Sequence, residues 1–324
     1  MKRIMVDVSA IVVTFLRPDE LRLCIESIRD QSYPPKEILV IDNGVSVSCS
    51  AKLICEELSG NVPIRYFPNA INSLPVARNM GVANCTGKYV LLVDDDVRLG
   101  ADYIEKIQAI FKKHTDVVGV QGYIQQPSRP WPRELLHRIF GHYYLEKDKC
   151  RVLRSVSTTY PRELMKGVSC HWLSGSNQMY RREILEEIIW DEKLMKYADG
   201  EDLDHSYRVY LRYPRGLLIT PEATVCHSGS LGGRTVKNEL IVMREVYGWY
   251  LNNKLFPNSS LAKLIFLWSR FGRLIFAALI LFKNTDVDSI NEIKYLLGAY
   301  FFVWKNRVDI SYGEFDAFNE KFKI

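Results

Sequence analysis

The sequence lacks the cysteine pattern of a disulfide scaffold or a zinc domain. Its seven cysteines are an odd number, no two have C-x-x-C spacing, and most lie in apolar segments. No segment repeats at a fixed period, which excludes solenoid and propeller folds. Basic residues exceed acidic ones only by 43 to 38, a net charge of +5, which is too little to indicate nucleic acid. We expect a reduced, cytoplasmic protein with no nucleic-acid partner.

Glycine-rich phosphate loops are also missing. The turn after the first apolar segment, residues 15–18, is Phe-Leu-Arg-Pro, so the dinucleotide fingerprint is absent. Residues 81–88 contain a Gly-Lys pair, but the spacing differs from that of a P-loop and Tyr89 replaces the magnesium-binding Ser or Thr. The apolar run at 8–15 is short and lacks a small-residue cleavage site, so we expect a first strand there and not a signal peptide.

Strand and helix periodicity alternate along the first part of the chain. Of the 324 residues, 47% are hydrophobic and 25% charged, as in average globular proteins. The expected strands are 8–13, 37–41, 62–67, 89–93 and 117–124. The expected helices are 18–32, 50–58, 74–84 and 101–113. This alternation predicts an α/β fold with a mostly parallel sheet flanked by helices.

The rhythm breaks at residues 127–165, where three prolines precede a run of basic side chains. We expect an irregular or partly helical insertion with a basic face, and a plain solvated loop is the alternative. Order returns at 172–180, and helices are expected at 181–189 and 199–213. Two short strands are expected within 217–226.

The segment 261–282 is long and apolar enough to cross a bilayer, but it carries Arg270 and Arg273 near its middle. Each arginine costs about 2.5–3.5 kcal/mol at the centre of a membrane. Lys263 shares their helical face, so the pattern favours a helix lying in the membrane interface. A second apolar segment follows at 295–304. Packing of both segments on the rest of the protein and a true membrane span are the alternatives.

Three consecutive carboxylates, Asp94, Asp95 and Asp96, follow the strand at 89–93. Ligands of open α/β sheets bind beyond the carboxyl ends of strands. Adjacent carboxylates repel one another, which raises their pKa values unless a cation is near. Mg²⁺ or Mn²⁺, held by one or two of them together with phosphate oxygens, relieves that repulsion. The alternative is a turn and cap before the helix at 101–113.

A second acidic group opens the helix at 199–213, with Asp199, Glu201 and Asp202. A helix N-terminus favours the ionised carboxylate, which suits a general base. A reciprocal cap between Asp199 and Asp202 is the alternative.

His227 follows the last expected strand. Beside a metal site, it is a candidate imidazole ligand for Mn²⁺, and a structural role is the alternative. His171 and His205 belong to no such constellation, and we interpret them as structural.

Six short motifs occur in order along the chain. They are residues 12–18 (VVTFLRP), 40–44 (VIDNG), 75–81 (PVARNMG), 94–96 (DDD), 174–182 (SGSNQMYRR) and 200–204 (GEDLD). Together they make residues 8–230 resemble the family 2 glycosyltransferases, which have the GT-A fold and bind nucleotide-diphospho-sugars. Asn-Gly-Val at 43–45 departs from the usual Asp-Gly-Ser, a position that bears on the donor base.

The resemblance implies a role for each matching position. The nucleotide-sugar would contact Thr14, Phe15, Arg17, Asp42, Arg78, Asp94 and Asp95. The metal would be held by Asp96, Asp94 and His227. Asp202 would be the catalytic base, supported by Glu201. The acceptor side would include Trp172, Ser174, Gly175 and Asn177.

The resemblance also implies an activity. The expected enzyme is an inverting transferase dependent on Mn²⁺ or Mg²⁺, moving a sugar from a nucleotide-diphosphate donor, UDP above all, to a hydroxyl. The acceptor would belong to glycan, polysaccharide or lipid-linked oligosaccharide synthesis. Other interpretations are a nucleotidyltransferase on a related sheet and a catalytically silent, membrane-bound nucleotide-sugar-binding module.

Two domains are expected. Residues 1–232 would form the GT-A domain, with 1–126 as the nucleotide-sugar half and 127–232 as the acceptor half. Residues 233–324 would form a helical extension that places the protein peripherally, through 261–304, at the cytoplasmic face of the membrane.

Overall fold

The structure is a computed structural model that describes residues 6–127, 129–229, 237–284 and 286–322. The strands are β1 Val6–Thr14, β2 Pro35–Asp42, β3 Ile64–Pro68, β4 Tyr89–Asp94, β5 Val97–Leu99, β6 Gly119–Gly122, β7 Tyr144–Glu146, β8 Val152–Leu153, β9 Ser157–Pro161, β10 Val168–Ser169, β11 Asn177–Arg181, β12 Leu217–Thr220 and β13 Val225–His227. The helices are α1 Pro18–Arg29, α2 Ser50–Leu58, α3 Leu74–Asn84, α4 Tyr103–Lys113, α5 Trp131–Ile139, α6 Arg182–Glu187, α7 Glu201–Arg212, α8 Lys237–Leu255, α9 Ser260–Asn284, α10 Val287–Lys305, α11 Arg307–Tyr312 and α12 Asp316–Phe322.

The first strand shows why the central sheet forms. Its apolar run has no polar alternation, because both faces of the strand are covered. Ala10 and Val12 pack into the core on one side of the sheet, and Ile11 and Val13 into the core on the other. Successive side chains of a strand point to opposite faces, so one continuous run supplies both cores.

The central sheet has eight strands in the order β10-β12-β6-β11-β4-β1-β2-β3. Strands β1 to β4 run parallel to one another, as do β6 and β12, whereas β11 is antiparallel to β4 and β6. The mostly parallel sheet predicted from the sequence is therefore confirmed. Strands β1, β2 and β4 end at the same edge, where Thr14, Asp42 and Asp94 lie side by side. Ligands of such sheets bind at this edge.

Two small sheets were not predicted. The insertion at 127–165 contains α5, so it is partly helical as expected, but it also contains a sheet in the order β7-β9-β8. A further ribbon pairs β5 with β13. These strands have two to five residues, too few to produce a periodic pattern in the sequence.

The C-terminal helices pack on the sheet domain. The expected boundary at 232–233 lies outside the described residues. Beyond it, α8 contributes Met243, Val246 and Tyr247 to the same core as the sheet. The backbone N–H of Met195 donates to the Tyr247 hydroxyl (3.0 Å), which fixes α8 against the acidic loop before α7.

Helix α9 has one packed face and one exposed face. Its buried positions include Phe266 and Gly272, whereas Leu264, Leu267 and Phe271 are more than half exposed. Of the described helices, α9 alone has the length and composition to cross a membrane. Much of its apolar surface therefore lacks cover among the described residues.

The prediction of an exposed basic stripe on α9 is wrong for its two arginines. Arg270 and Arg273 both pair with Glu245 of α8, and their side chains are 11% and 18% exposed. Lys263 is exposed. A buried carboxylate turns the arginines inward because their charge is stabilised there by ion pairing, which leaves the outer face of α9 apolar.

Candidate active site

The three aspartates at the end of β4 have three different partners. Asp94 lies 3.2 Å from Nη2 of Arg78. Asp95 accepts hydrogen bonds from Thr14 (2.8 Å) and Arg17 (2.8 Å). The aspartates do not cap the following helix, because the N-cap of α4 is Asp102. The capping alternative is therefore excluded, and the aspartates lie at the end of β4 and in the turn between β4 and β5.

The pKa values of Asp94 and Asp95 are raised, as the sequence predicted, but mainly for another reason. Burial raises the pKa of Asp95 to about 6, against the attraction of Arg17. Burial is also the largest cause of the raised pKa of Asp94, with repulsion from Asp96 a smaller one. Adjacent carboxylates at this site thus favour a cation chiefly because they are desolvated.

Pairing of β5 with β13 brings His227 to the acidic turn. His227 lies opposite Val97 in the ribbon, and its Nε2 is 3.1 Å from Oδ1 of Asp96. No group of three or more His, Cys, Asp or Glu side chains is arranged to hold a metal ion in the part of the chain that the structure describes. Mg²⁺ and similar ions are often held by one or two protein ligands plus phosphates and waters, and the Asp96–His227 pair fits that set. The role of Asp94 as a further ligand stays a prediction.

A small cleft beside β1 and β2, about 20 Å³ in volume, is lined by three of the seven residues expected to contact the nucleotide. Thr14, Arg17 and Asp42 line it, together with Ser48 and Ser50, which the sequence analysis did not identify. The intervening Phe15 is half-buried. Ser48 and Ser50 are short polar side chains that belong to no sequence motif, so only the fold places them in the cleft.

The carboxylate of Asp42 is oriented by two donors. Oδ1 accepts from the backbone N–H of Gly44 (2.8 Å) and Oδ2 from the hydroxyl of Tyr66 (2.9 Å). Tyr66 lies on β3 and was also not predicted. Leu16 at the rim has a φ of 56°, a strained value for a branched side chain of the kind that clusters at functional sites.

Arg78 of α3 joins the two acidic groups of the sequence. It is 2% exposed, and it donates to Glu201, to Asp94 (3.2 Å) and to the carbonyl of Gly175 (3.2 Å). A buried guanidinium retains its charge, and here it donates to side chains from both acidic motifs at once. The tertiary structure therefore makes one site from segments that are 107 residues apart between Asp94 and Glu201.

The acidic loop before α7 differs from the cap considered above. The N-cap residue is Gly200 with a φ of 92°, and no side chain caps the helix. Asp199 instead pairs with Arg244 of α8 (3.0 Å). The reciprocal cap between Asp199 and Asp202 is therefore wrong, and both carboxylates serve other contacts.

Glu201 and Asp202 have different surroundings. Glu201 is 5% exposed, and burial raises its pKa to about 8 despite Arg78, with further repulsion from Asp202 and Asp94. Asp202 accepts from the backbone N–H of Gly175 (3.1 Å) and of Leu203 (2.8 Å). Burial also raises the pKa of Asp202. Only Asp202 of this pair lines a cavity.

That cavity, about 470 Å³ in volume, lies between the sheet domain and the C-terminal helices and has Trp172 in its wall. Gly175 contacts both Asp202 and Arg78 through its backbone. The Ser174 hydroxyl lies 3.1 Å from that of Ser176. Asn177, however, is fully buried and accepts from the Tyr103 hydroxyl (2.9 Å), so it supports the loop from within and does not face the cavity.

Two histidines have structural contacts, as expected. His205 is fully buried and stacks on Trp190 with ring centroids 3.7 Å apart. His171 stacks on Tyr210 at 4.2 Å. Neither lines the cavity beside Asp202.

A sequence model described as "Glycosyl transferase family 2" matches residues 9–189. This chain belongs to that family. The matched region includes the acidic turn after β4 and the loop before β11. The glycosyltransferase assignment therefore covers the donor-side residues, whereas the acidic loop before α7 and His227 lie beyond the match.

Several curated proteins resemble this glycosyltransferase. "Glycosyltransferase GlyA" of Streptococcus pneumoniae is 28% identical over 63% of this chain and 28% of its own length. "Uncharacterized glycosyltransferase YwdF" of Bacillus subtilis is 26% identical over 74% of this chain and 81% of its own. The chain thus spans less than a third of the length of GlyA, although it spans most of YwdF.

Solved structures share the fold. "S. aureus TarS 1-349 in complex with UDP-GlcNAc" superposes with a TM-score of 0.57 at 16% identity, covering 94% of this chain and 83% of that one. "GalNAc-T7 with UDP, GalNAc and Mn2+" superposes with a TM-score of 0.55 at 16% identity, covering 84% and 55%. The glycosyltransferase therefore has the GT-A arrangement that its motifs predicted.

Proposed function

We propose that this glycosyltransferase moves a sugar from a nucleotide-diphosphate donor, UDP-sugar above all, to an acceptor hydroxyl with inversion at the anomeric carbon. The observation that carries the proposal is the Arg78 bridge. It holds Asp94 at the sheet edge and Glu201 at the start of α7, with Asp202 between this bridge and an open cavity. Arg78 thus connects the acidic turn on the donor side with the acidic loop that carries the acceptor-side carboxylate.

Asp202 is the proposed general base. It takes the proton from an acceptor hydroxyl in the cavity as that oxygen attacks the anomeric carbon on the face opposite the diphosphate. One displacement from that face inverts the configuration. Two backbone N–H groups orient the carboxylate, and such positioning is worth up to about 7–11 kcal/mol in model reactions. Glu201, with a pKa of about 8, retains its proton at neutral pH and acts by positioning Arg78.

The donor side of the proposal rests on contacts already described. Thr14 and Arg17 hold Asp95 in place, and Asp42 is oriented toward the nucleotide cleft by Tyr66. Asp96 and His227 would hold Mn²⁺ or Mg²⁺, which when bound supplies positive charge for the diphosphate leaving group. Both TarS and GalNAc-T7 carry UDP compounds in their solved structures, the latter with Mn²⁺, which supports this donor and cofactor class.

We also propose that the protein lies peripherally at the cytoplasmic face of a membrane. The exposed side chains of α9 are joined by those of α5, where Trp131, Leu135 and Ile139 are 74%, 39% and 50% exposed. These three recur every four residues and so share one face of the helix. The indole N–H of Trp268 in α9 donates to the carbonyl of Ile139 (2.9 Å), so the two faces adjoin. Adjoining apolar faces are typical of a membrane-docking surface.

Nucleotide release from a panel of sugar nucleotides, with and without Mn²⁺, tests the proposal. The wild type is expected to hydrolyse one donor slowly in a metal-dependent manner, and the variant D96A is expected not to. The Arg212 side chain is 66% exposed at the end of α7 opposite to Asp202, so R212Q serves as the control variant. Product analysis by NMR then reports the anomeric configuration.

Three results would contradict the proposal. Retention of configuration in the product would exclude the single displacement through Asp202. Failure of metal-dependent nucleotide binding would favour the silent binding module. Transfer of a nucleotidyl group, with release of pyrophosphate, would favour the nucleotidyltransferase.

A further inference from the structure

The cavity beside Asp202 has a basic wall that the proposed mechanism does not use. Arg244 of α8 and Arg270 and Arg273 of α9 line it. Arg270 also donates through Nη2 to the hydroxyl of Ser269 (3.2 Å). Arg270 and Arg273 are therefore largely buried and held by ion pairs, whereas Arg244 is exposed.

Positive charge in this wall exceeds the negative charge that pairs with it. Asp199 pairs with Arg244 (3.0 Å), and the single carboxylate of Glu245 serves both Arg270 and Arg273. Glu245 is 2% exposed, so solvent does little to screen the pair. Burial lowers the pKa of Arg273, and repulsion from Arg270 and Arg244 lowers it further. A surplus cation in a desolvated wall favours binding of an anion.

Polar atoms in the cavity lack partners. Both ring nitrogens of His137 are buried without a hydrogen-bond partner among the described residues, and so is Nε of Arg270. Burial, with Arg129 and Arg133, lowers the pKa of His137 to about 4, so its ring is neutral and offers one donor and one acceptor. Buried polar groups are almost always satisfied, which indicates that a ligand or water bonds them.

We infer that this cavity binds a phosphoryl group of the acceptor, held by Arg270 and Arg273, while the acceptor hydroxyl lies at Asp202. The inference rests on the proposed function, since it assigns the acceptor half of that site. Guanidinium forks match phosphate oxygens, and several can share one phosphate or diphosphate. The volume of about 470 Å³ suits a phosphorylated sugar.

Two sources would supply the phosphoryl group together with a hydroxyl: a sugar linked to a polyprenyl phosphate lipid, or a water-soluble phosphate-bearing glycan. Both present the same oxygens to the arginines. The helices that contribute His137 and Arg273, α5 and α9, also carry the adjoining apolar faces. A lipid docked on those faces would have its headgroup near the basic wall of the cavity. The test below distinguishes this lipid from the soluble glycan.

Binding of inorganic pyrophosphate to the full-length protein, measured by calorimetry in EDTA to remove metal-dependent donor-site binding, tests the inference. R273Q is expected to weaken binding by about tenfold or more, as loss of a charged hydrogen-bond donor does. R273K keeps the charge that pairs with Glu245 but loses the fork, so it controls for misfolding. R212Q, at a side chain 66% exposed, makes the same charge change elsewhere and should bind as the wild type does.

Equal pyrophosphate binding by the wild type and a folded R273Q would overturn the inference. Arg273-dependent binding in a protein that releases no nucleotide would support the anion site and refute the proposed function. Arg273-dependent binding to phosphatidylcholine vesicles with polyprenyl phosphate, or to a soluble poly(glycerol phosphate), supports the site and identifies the source.

Discussion

Replacing each of two neighbouring carboxylates separates the base from its support. D202N removes the carboxylate that faces the cavity, whereas E201Q alters one that faces Arg78. Loss of a general base costs about 10²–10⁴ in rate. E201Q keeps an oxygen to accept from Arg78, and the carboxyl it replaces is neutral up to a pH of about 8. We therefore expect D202N to lose at least a hundredfold in rate and E201Q less than tenfold.

The structure also predicts that D202N is less stable than the wild type. Asp202 accepts from two backbone N–H groups, and an asparagine can accept with only one oxygen. One buried donor then lacks a partner, which costs about 1–3 kcal/mol. Urea unfolding measures this cost and shows whether D202N remains folded under assay conditions.

The pH dependence of the rate is an independent test of the assignment of Asp202 as the base. The base works only when deprotonated, and the pKa of Asp202 is raised above 3.8 by burial. As the pH is lowered, the activity of the wild type should therefore fall at a higher pH than it would with a base of ordinary aspartate pKa. D202N should lack this acidic limb of the pH–rate profile.

Ionisation of Glu201 should lower the stability of the protein as the pH rises. Its folded pKa of about 8 exceeds the ordinary 4.5, so its contribution to stability is complete below 4.5 and is lost as pH rises toward 8. The loss is at most about 1.4 kcal/mol per pH unit. E201Q cannot ionise, so it should lack this slope.

The assay is nucleotide release with the best donor of the panel, at saturating donor and metal, across pH 4.5 to 9. A folded D202N that retains more than a tenth of the wild-type rate would refute the assignment of the base. So would an E201Q that loses more activity than D202N, because the buried carboxyl would then do the chemistry.

Three further changes test other parts of the structure. G200A should destabilise the protein by about 1–2 kcal/mol or more in urea, because Gly200 has a φ of 92° and a Cβ there would lie 2.9 Å from a leucine of α8; an unchanged midpoint would contradict this geometry. H227A should raise the Mn²⁺ concentration for half-maximal nucleotide release by about 10- to 100-fold, as loss of a ligand-supporting group does, and an unchanged requirement would exclude His227 from the metal. The double variant L264Q/W268Q should weaken binding to phosphatidylglycerol vesicles by about tenfold or more, whereas L53Q, at a similarly exposed leucine of α2, should not.

The sequence alone predicted the parallel sheet and the acidic turn that ends one of its strands. A continuous apolar run such as 8–13 has few structural solutions, because it must be buried on both sides. The expected strand at 89–93 then placed Asp94 at the carboxyl edge of the sheet by local periodicity, whereas Asp42 was identified through the family resemblance.

Only the tertiary structure brought distant segments together. Pairing of β5 with β13 sets His227 beside Asp96; the sequence predicted a short strand ending near His227, but neither β5 nor its pairing with that strand. Arg78 meets Glu201 through the packing of α3 beside the acidic loop, a long-range contact that periodicity does not encode.

The C-terminal helices show the same division most clearly. Composition identified α9 as apolar with two arginines, and the sequence placed those arginines at a membrane interface. The partner that turns them inward is Glu245, 25 residues before Arg270, and it counts as an ordinary surface charge until α8 is packed. Local pattern determined which residues form each helix; the long-range pairing of a buried carboxylate decided which way its charges face, because burial makes that pairing obligatory.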